Sequence, residues 1–329
     1  MGRNMRKPGL IRIWLALVAL LTLVMVLVGG VTRLTDSGLS MTDWKPILGS
    51  VPPRTPADWQ ERFAQYQASP QFEKVNPDME MEAFKFIFFW EWFHRLLGRV
   101  VGLVALIPWM VFTGLRWIRG RWIGRLFLVP LLVLLQGLMG WFMVKSGLVD
   151  IPRVSPFRLS AHLGLALVLL CYCVWWFCRA TEPKRPAPRR TPSLLAWGLV
   201  AVLAIQGFFG ALVAGYDAGI VSMSWPKMMG EWIPPLDGGM PIVVHFVHRT
   251  FAWVVVAMAV ACCGVGLRCA DLMRQKAPLL WILFLLFLQV VLGVLTVTQG
   301  MPLALASAHQ VNAALLLGAG VVAASELAR

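Results

Sequence analysis

Imidazole is the side chain in this sequence best suited to chemistry inside an apolar matrix, and four of the five histidines fall into two repeating sets. His94 (EWFHRLLGR) and His248 (VVHFVHRTF) are each followed directly by an arginine, Arg95 and Arg249, and lie 154 residues apart. His162 (RLSAHLGLAL) and His309 (LASAHQVNAAL) each follow Ser-Ala and lie 147 residues apart. A chain that repeats a His-Arg segment and a Ser-Ala-His segment in each of two halves is arranged to hold two copies of one group. Two neutral imidazoles facing each other across a helical bundle make a six-coordinate site, and haem iron is the group they hold most economically. Guanidinium forks match carboxylates, so Arg95, Arg249 and Arg99, one turn further on, suit haem propionates. Arg99 has no duplicate, and snorkelling or capping at the interface explains it as well. A single intramembrane histidine is often an interhelical hydrogen-bonding residue, but four at duplicated positions argue for ligands. Zinc is a poorer match, because no local cluster such as HExxH is present.

Glu91 lies three residues before His94 and shares its helix face. The equivalent position in the second half is His245. One half thus sets a carboxylate beside its histidine pair, where it could act as a base, orient a water or stabilise developing positive charge. The alternative for Glu91 is an ion pair with Arg95 or Lys85 and no chemistry. For His245, which has no duplicate, a hydrogen-bonding role is expected in preference to that of a spare ligand.

The elements that position these residues follow from composition. Of 329 residues, 58% are hydrophobic and only 14% are charged, which excludes an ordinary soluble domain. Eight apolar stretches, near 11–30, 84–112, 123–144, 158–178, 194–214, 242–267, 278–298 and 303–323, are long enough to cross a bilayer as helices. The expected fold is an all-α integral membrane protein of eight transmembrane helices, arranged as two pseudo-symmetric four-helix bundles. The last two stretches are joined by a very short turn.

A net charge of +14 would suggest nucleic acid in a soluble protein. Here the bases collect in alternate loops: Arg3 to Arg12, Arg116 to Arg125, Arg179 to Arg190 and Arg268 to Lys276, whereas residues 215–242 carry only Lys227. The surplus encodes orientation, both termini are expected in the cytoplasm, and no nucleic-acid partner is expected. A basic N-terminus without a convincing small-residue cleavage site reads as a first spanning helix, and the lack of an Arg/Ser-rich transit peptide favours a bacterial inner membrane. Cys171, Cys173, Cys178, Cys262, Cys263 and Cys269 fall toward the inner ends of the fourth and sixth spans, where apolar packing is the expected role.

Repeats extend beyond the histidines. Asp36, Gly38 and Trp44 match Asp217, Gly219 and Trp225 at an offset of 181, and both loops close on Pro-Pro. Gln136 and Gly140 match Gln289 and Gly293 at an offset of 153, shared by Gly147 and Gly300. Turn chemistry suffices for the two acids, and Gln136, Gln206 and Gln289, each four residues before a glycine, read as close helix contacts. The chain therefore divides into residues 1–178, a basic Pro-rich linker at 179–192, and residues 193–329. An even number of spans per half makes this a parallel repeat about the membrane normal. The first half carries 28 additional residues between its Pro-Pro and its first histidine. Within them Trp59, Phe63 and Tyr66 have helical spacing, consistent with an amphipathic helix on the outer interface and equally with a plain solvent loop.

The run from Gly29 to Trp44 (GGVTRLTDSGLSMTDW), the ExxHRxxGR motif from Glu91 to Arg99 and the duplicated Ser-Ala-His segments together resemble the haem A synthase family over essentially the whole of 11–323. The resemblance implies conversion of haem O to haem A, a ring methyl being oxidised to a formyl group for use in terminal oxidases. It implies that His248 and His309 ligate a resident haem b, that His94 and His162 ligate the substrate haem iron, and that Glu91 is the catalytic acid/base. Substrate haem O, membrane lipid, a haem O synthase, an electron acceptor and an oligomer are the partners it allows. Some relatives carry a cysteine pair in outer loops; this chain lacks it, so a mechanism relying on that pair does not apply. The competing reading is a di-haem cytochrome b-type electron carrier with two equivalent cofactors and no use for Glu91. A transporter built on the same repeat would not need histidine pairs.

Overall fold

The computed structural model describes residues 5–43, 49, 51–147, 153–180 and 190–328. Trp44 and most of the 179–192 linker therefore lie outside the described residues. Among the described residues eight helices are long and apolar enough to cross a membrane: α1 (Pro8–Leu34), α4 (Met81–Gly114), α5 (Arg121–Gly147), α6 (Pro156–Arg179), α7 (Arg190–Gly215), α8 (Met240–Cys269), α9 (Met273–Thr298) and α10 (Leu303–Leu327). Each of the eight expected stretches is one of these. Proline opens α1, α6 and α8 in the first turn, where its missing N–H costs nothing. The turn between α9 and α10 is four residues, with Gly300 and Met301 both at positive φ.

Two shorter helices, α2 (Pro56–Gln67) and α3 (Pro70–Val75), occupy the 28-residue insertion. Thr55 and Asp58 form a capping box at the start of α2, and the N–H groups of Arg54 and Thr55 hold the Asp58 carboxyl below the usual range. The aromatic stripe of α2 is not spread on a membrane interface. It packs against α4: Tyr66 stacks on Phe84 at 5.1 Å between ring centres, and Trp59 meets Phe88 edge-on at 5.2 Å. Length explains this. A 34-residue helix spans about 51 Å, well beyond a hydrocarbon core of about 30 Å, so the first turns of α4 project and present phenylalanines that need cover. Tyr66 is fully buried there, which raises its phenol, although Asn76 Nδ2 donates to its hydroxyl.

The spanning helices pack as two closed rings. In one, α1 touches α4 and α6, and α5 touches the same two; in the other, α7 touches α8 and α10, and α9 touches the same two. The rings meet through α1 on α10, α6 on α7 and α6 on α10. Toward the side of the basic loops each ring has a dense apolar core, one around Trp14, Trp122 and Leu126, the other around Leu199, Leu279 and Ile282. Cys173 is buried in the first core, and Cys262 and Cys263 in the second. Apolar packing is thus the observed role of these three thiols.

On the opposite, long-loop side the two rings are tied by arginines, Arg33 above all. Arg33, at the end of α1, donates to Asp36 at 2.9 Å, and also to Asp217 Oδ1 at 2.7 Å and the Ala214 carbonyl at 2.8 Å at the end of α7. Arg153 adds a second contact to Asp217 at 3.2 Å. Asp36 and Asp217 both occupy the left-handed region, with φ of 49° and 51°, ahead of short 3-10 turns at Ser37–Leu39 and Ala218–Val221. The duplicated acids therefore do more than shape turns. Arg33→Ala is expected to destabilise the chain by about 1–2 kcal/mol, since it removes charge-assisted bonds from a partly buried cation. Asp36→Asn, at an exposed carboxylate, should cost less. Heat-induced unfolding in detergent measures both, and equal midpoints for Arg33→Ala and the parent would contradict the tie.

Candidate functional site

His94, His162, His248 and His309 stand on α4, α6, α8 and α10, which all run in the same sense. Each histidine lies against a glycine of an antiparallel neighbour. Gly29 of α1 faces His94, Gly140 of α5 faces His162, Gly210 of α7 faces His248 and Gly293 of α9 faces His309. These glycines come five to seven residues before their helices end, so the four contacts form one layer. A Cβ at Gly29, Gly140, Gly210 or Gly293 would sit 3.0, 3.3, 3.2 or 2.9 Å from the Cε1 of the facing ring, inside ordinary van der Waals separation. Any side chain at these positions would press on the ring, most at Gly293 and least at Gly140.

Within the second ring of helices, His248 and His309 have ring centres 6.5 Å apart, with planes at 77°. A metal atom gripped in line by two imidazole nitrogens places the ring centres about 6.3 Å apart, given metal–nitrogen bonds of about 2.0 Å. The donor set and its spacing therefore fit a bis-imidazole iron. The Nδ1 atoms of His94 and His162 are buried with no hydrogen-bond partner.

Glu91 is buried and accepts from three donors: Arg95 Nη2 on Oε1 at 2.5 Å, and Ser40 Oγ and the Met41 N–H on Oε2 at 2.7 and 2.8 Å. Of the two cations that could pair with it, Arg95 does; Lys85 pairs with Glu82. His245, its counterpart, is also buried and hydrogen-bonds the backbone of Ala218 in the matching loop. Both residues therefore fasten a long-loop segment to its helix, which is the hydrogen-bonding role expected for His245. The arginines do the same. Arg95 donates to the carbonyls of Met41 and Asp43, and Arg249 to those of Ser224, Pro226 and Lys227. Asp43 and Ser224 are themselves 181 residues apart, so the clasp is duplicated. Arg249 keeps one buried Nη1 without a partner. Arg99 borders, with Arg95 and Arg62, a cavity of about 160 Å³ between α2, α4 and the loop after α1.

Two features escaped the sequence reading. One is the glycine seat: the glutamine–glycine spacing was read as helix against helix, whereas the glycines receive imidazole rings. The other is the amide beside each ring. Gln206 Nε2 lies 3.2 Å from His248 Nδ1 and donates to the His248 carbonyl at 3.0 Å. Gln289 Nε2 lies 3.2 Å from the ring nitrogens of His309, while its Oε1 accepts from Asn312 at 2.7 Å. Gln136 donates to the His162 carbonyl at 3.0 Å. The signal was present as a four-residue spacing before each of these three glycines, and its fourth member, Met25 before Gly29, is not a glutamine.

The fold is that of an eight-helix membrane protein with four imidazoles in one layer. A family model described as cytochrome oxidase assembly protein (COX15-CtaA) matches residues 12–321. Proteins named heme A synthase are similar over nearly the whole length. That of Azorhizobium caulinodans is 42% identical, covering 98% of this chain and 95% of its own length. That of Caulobacter vibrioides is 43% identical, with 93% of each chain covered, and that of Paracoccus denitrificans is 39% identical, covering 94% of this chain and 85% of its own. The chain belongs to the haem A synthase family, the COX15-CtaA cytochrome oxidase assembly proteins, as its motifs had indicated.

The glycine seats generate a graded expectation. Gly293→Val, at the tightest contact, should expel His309 from its position and abolish haem binding in that half. Gly140→Ala, at the loosest, should retain haem. Pyridine haemochrome assay per mole of purified protein reads both; full haem content in Gly293→Val would show that the seat does not position the ring.

Proposed function

We propose that this chain is a haem A synthase, oxidising the C8 methyl group of haem O to a formyl group. His94 and His162 hold the substrate haem in the first half, residues 1–178, and His248 and His309 hold haem b in the second, residues 193–329. The two halves are related by a pseudo-twofold axis along the membrane normal. Support comes from the packing, in which exchanging the rings converts the α1–α10 contact into α7–α6 and leaves α6–α10 unchanged. The observation that carries the reading is the set of four imidazoles on four glycines in one layer, with the His248 and His309 rings spaced as an iron between them requires.

Bound haem b supplies a one-electron redox centre in the second half. The net change in the first half is addition of water oxygen with loss of four electrons and four protons: methyl plus water gives formyl. His94 and His162 would orient the macrocycle, and Arg95, Arg99 and Arg249 would supply cationic charge for its propionates, Arg95 and Arg249 while anchoring the loops. Glu91 takes up a proton as water adds at the methyl carbon, with the Ser40 hydroxyl its exchangeable partner, since the Arg95 and Met41 contacts hold it in place. His245 at the equivalent position gives the second half no carboxylate, which suits a centre that carries electrons without modifying its haem. The electrons pass to a membrane acceptor, and a haem O synthase supplies the substrate. The basic loops favour a bacterial inner membrane with both termini in the cytoplasm.

A di-haem carrier would contain one haem type and be indifferent to Glu91. Acid–acetone extraction followed by chromatography is expected to give haem b together with haem O, its hydroxylated intermediate or haem A. Glu91→Gln should keep both haems and lose at least about a hundredfold in formyl product. Undiminished haem A formation in that variant would remove Glu91 from the chemistry, and a single haem type in the parent would favour the carrier.

A further inference from the structure

Each imidazole has a counterpart position one helical turn before its glycine seat, and the four counterparts are not alike. Three are glutamines, Gln136, Gln206 and Gln289, and the fourth is Met25. In the second half both amides reach the ring nitrogens themselves, at 3.2 Å. Gln289 is further fixed by Asn312, which spends its other contact on the Leu285 carbonyl. Gln206 keeps a buried Oε1 with no partner, an acceptor available to the Nδ1 proton of His248. In the first half Gln136 reaches only the His162 backbone, again with a buried, unpartnered Oε1. Met25 directs its methyl group at Gly98, the residue one turn beyond His94, with Cε 3.8 Å from the position a Cβ would take. A thioether is at best a weak acceptor, and His94 Nδ1 is buried without a partner.

A ligating histidine is oriented and made more basic by the hydrogen bond at its second nitrogen, and loss of that partner typically weakens metal binding about 10–100-fold. Resting on the assignment of one bis-imidazole haem to each half, we infer that Gln206, whose unpartnered Oε1 a turn of the amide brings to the Nδ1 proton of His248, is the positioning residue that makes the second-half haem a fixed, low-potential cofactor; Gln289, its Oε1 held by Asn312, only donates and has no such role. Met25 withholds the same support from His94, so the first-half haem is exchangeable on that side and can arrive as substrate and leave as product. The residue at position 25 or 206 therefore sets whether its half retains or releases its haem. A resident cofactor and a transient substrate of nearly the same structure are thereby told apart by one side chain in each ring of helices.

The test is a reciprocal exchange, Met25→Gln and Gln206→Met, in the full-length, haem-loaded protein in detergent. Haem loss is followed by transfer to excess apomyoglobin, and each haem is titrated to its midpoint potential. Gln206→Met is expected to speed loss of the second-half haem at least about tenfold and raise its potential. Met25→Gln should slow loss of the first-half haem by a similar factor and lower its potential. A variant that merely loosened packing would not shift the potentials in opposite directions. Unchanged rates and potentials in both variants would overturn the inference. His248→Ala, run alongside, separates the two levels: loss of the second-half haem there with silent exchanges sinks only the role of Gln206, whereas full retention of both haems sinks the haem assignment and this inference with it.

Discussion

An imidazole set this close to a neighbouring helix meets any side chain that helix carries there, and the layer of four histidines depends on this constraint. Gly29, Gly140, Gly210 and Gly293 each remove the one carbon that would collide with a ring. Without them the helices would have to separate or the histidines would have to turn away, and the pair could not share a metal. The rest of the long-loop side follows. The cores around Trp122 and Leu199 fix the helices at the opposite end, so the spacing at the histidine layer is set by rigid packing elsewhere. Arg33, bonded to both Asp36 and Asp217, keeps the two rings together at that side.

Around the layer, polar side chains are spent on backbone. Arg95 and Arg249 hold loop carbonyls at matching positions, and Glu91 and His245 hold the preceding turn. Charged groups in a membrane bundle are costly unless paired, and each of these finds partners in a loop that it also orders, Arg249 with one buried Nη1 left over. The halves differ in which residue does the fastening, a carboxylate in one and an imidazole in the other, and in the extra cover of α2 and α3 over the first. The two rings thus share their histidine positions and loop clasps while differing in the groups beside them. That difference is what the proposed division, one haem modified and one kept, calls for.

Much of this was legible in the residues. Long apolar runs have few alternatives in a bilayer, so eight spans could be placed; offsets of 147 and 154 identified the duplicated histidines, and 153 and 181 the duplicated residues around them. Chemistry that depends on contact between distant helices was not legible. Nothing in the local sequence says that Gly210 meets His248 or that Gln289 is held by Asn312. The aromatic stripe of α2 has the same spacing whether it faces lipid or protein, and only the projecting turns of α4 decide the matter. Glu91 could be paired with Arg95 from their four-residue separation, but Ser40 and Met41 come from a loop whose path the sequence does not fix.

The account stands on an iron held between His248 and His309, whose planes are 77° apart. Electron paramagnetic resonance of the oxidised, purified protein tests it most directly, because ferric haem between two imidazoles is low-spin and steeply crossed rings make the signal strongly anisotropic. The second-half haem should give that low-spin signal, and His309→Ala should convert it to a high-spin one or abolish it. A low-spin signal unchanged in His309→Ala would contradict the assignment.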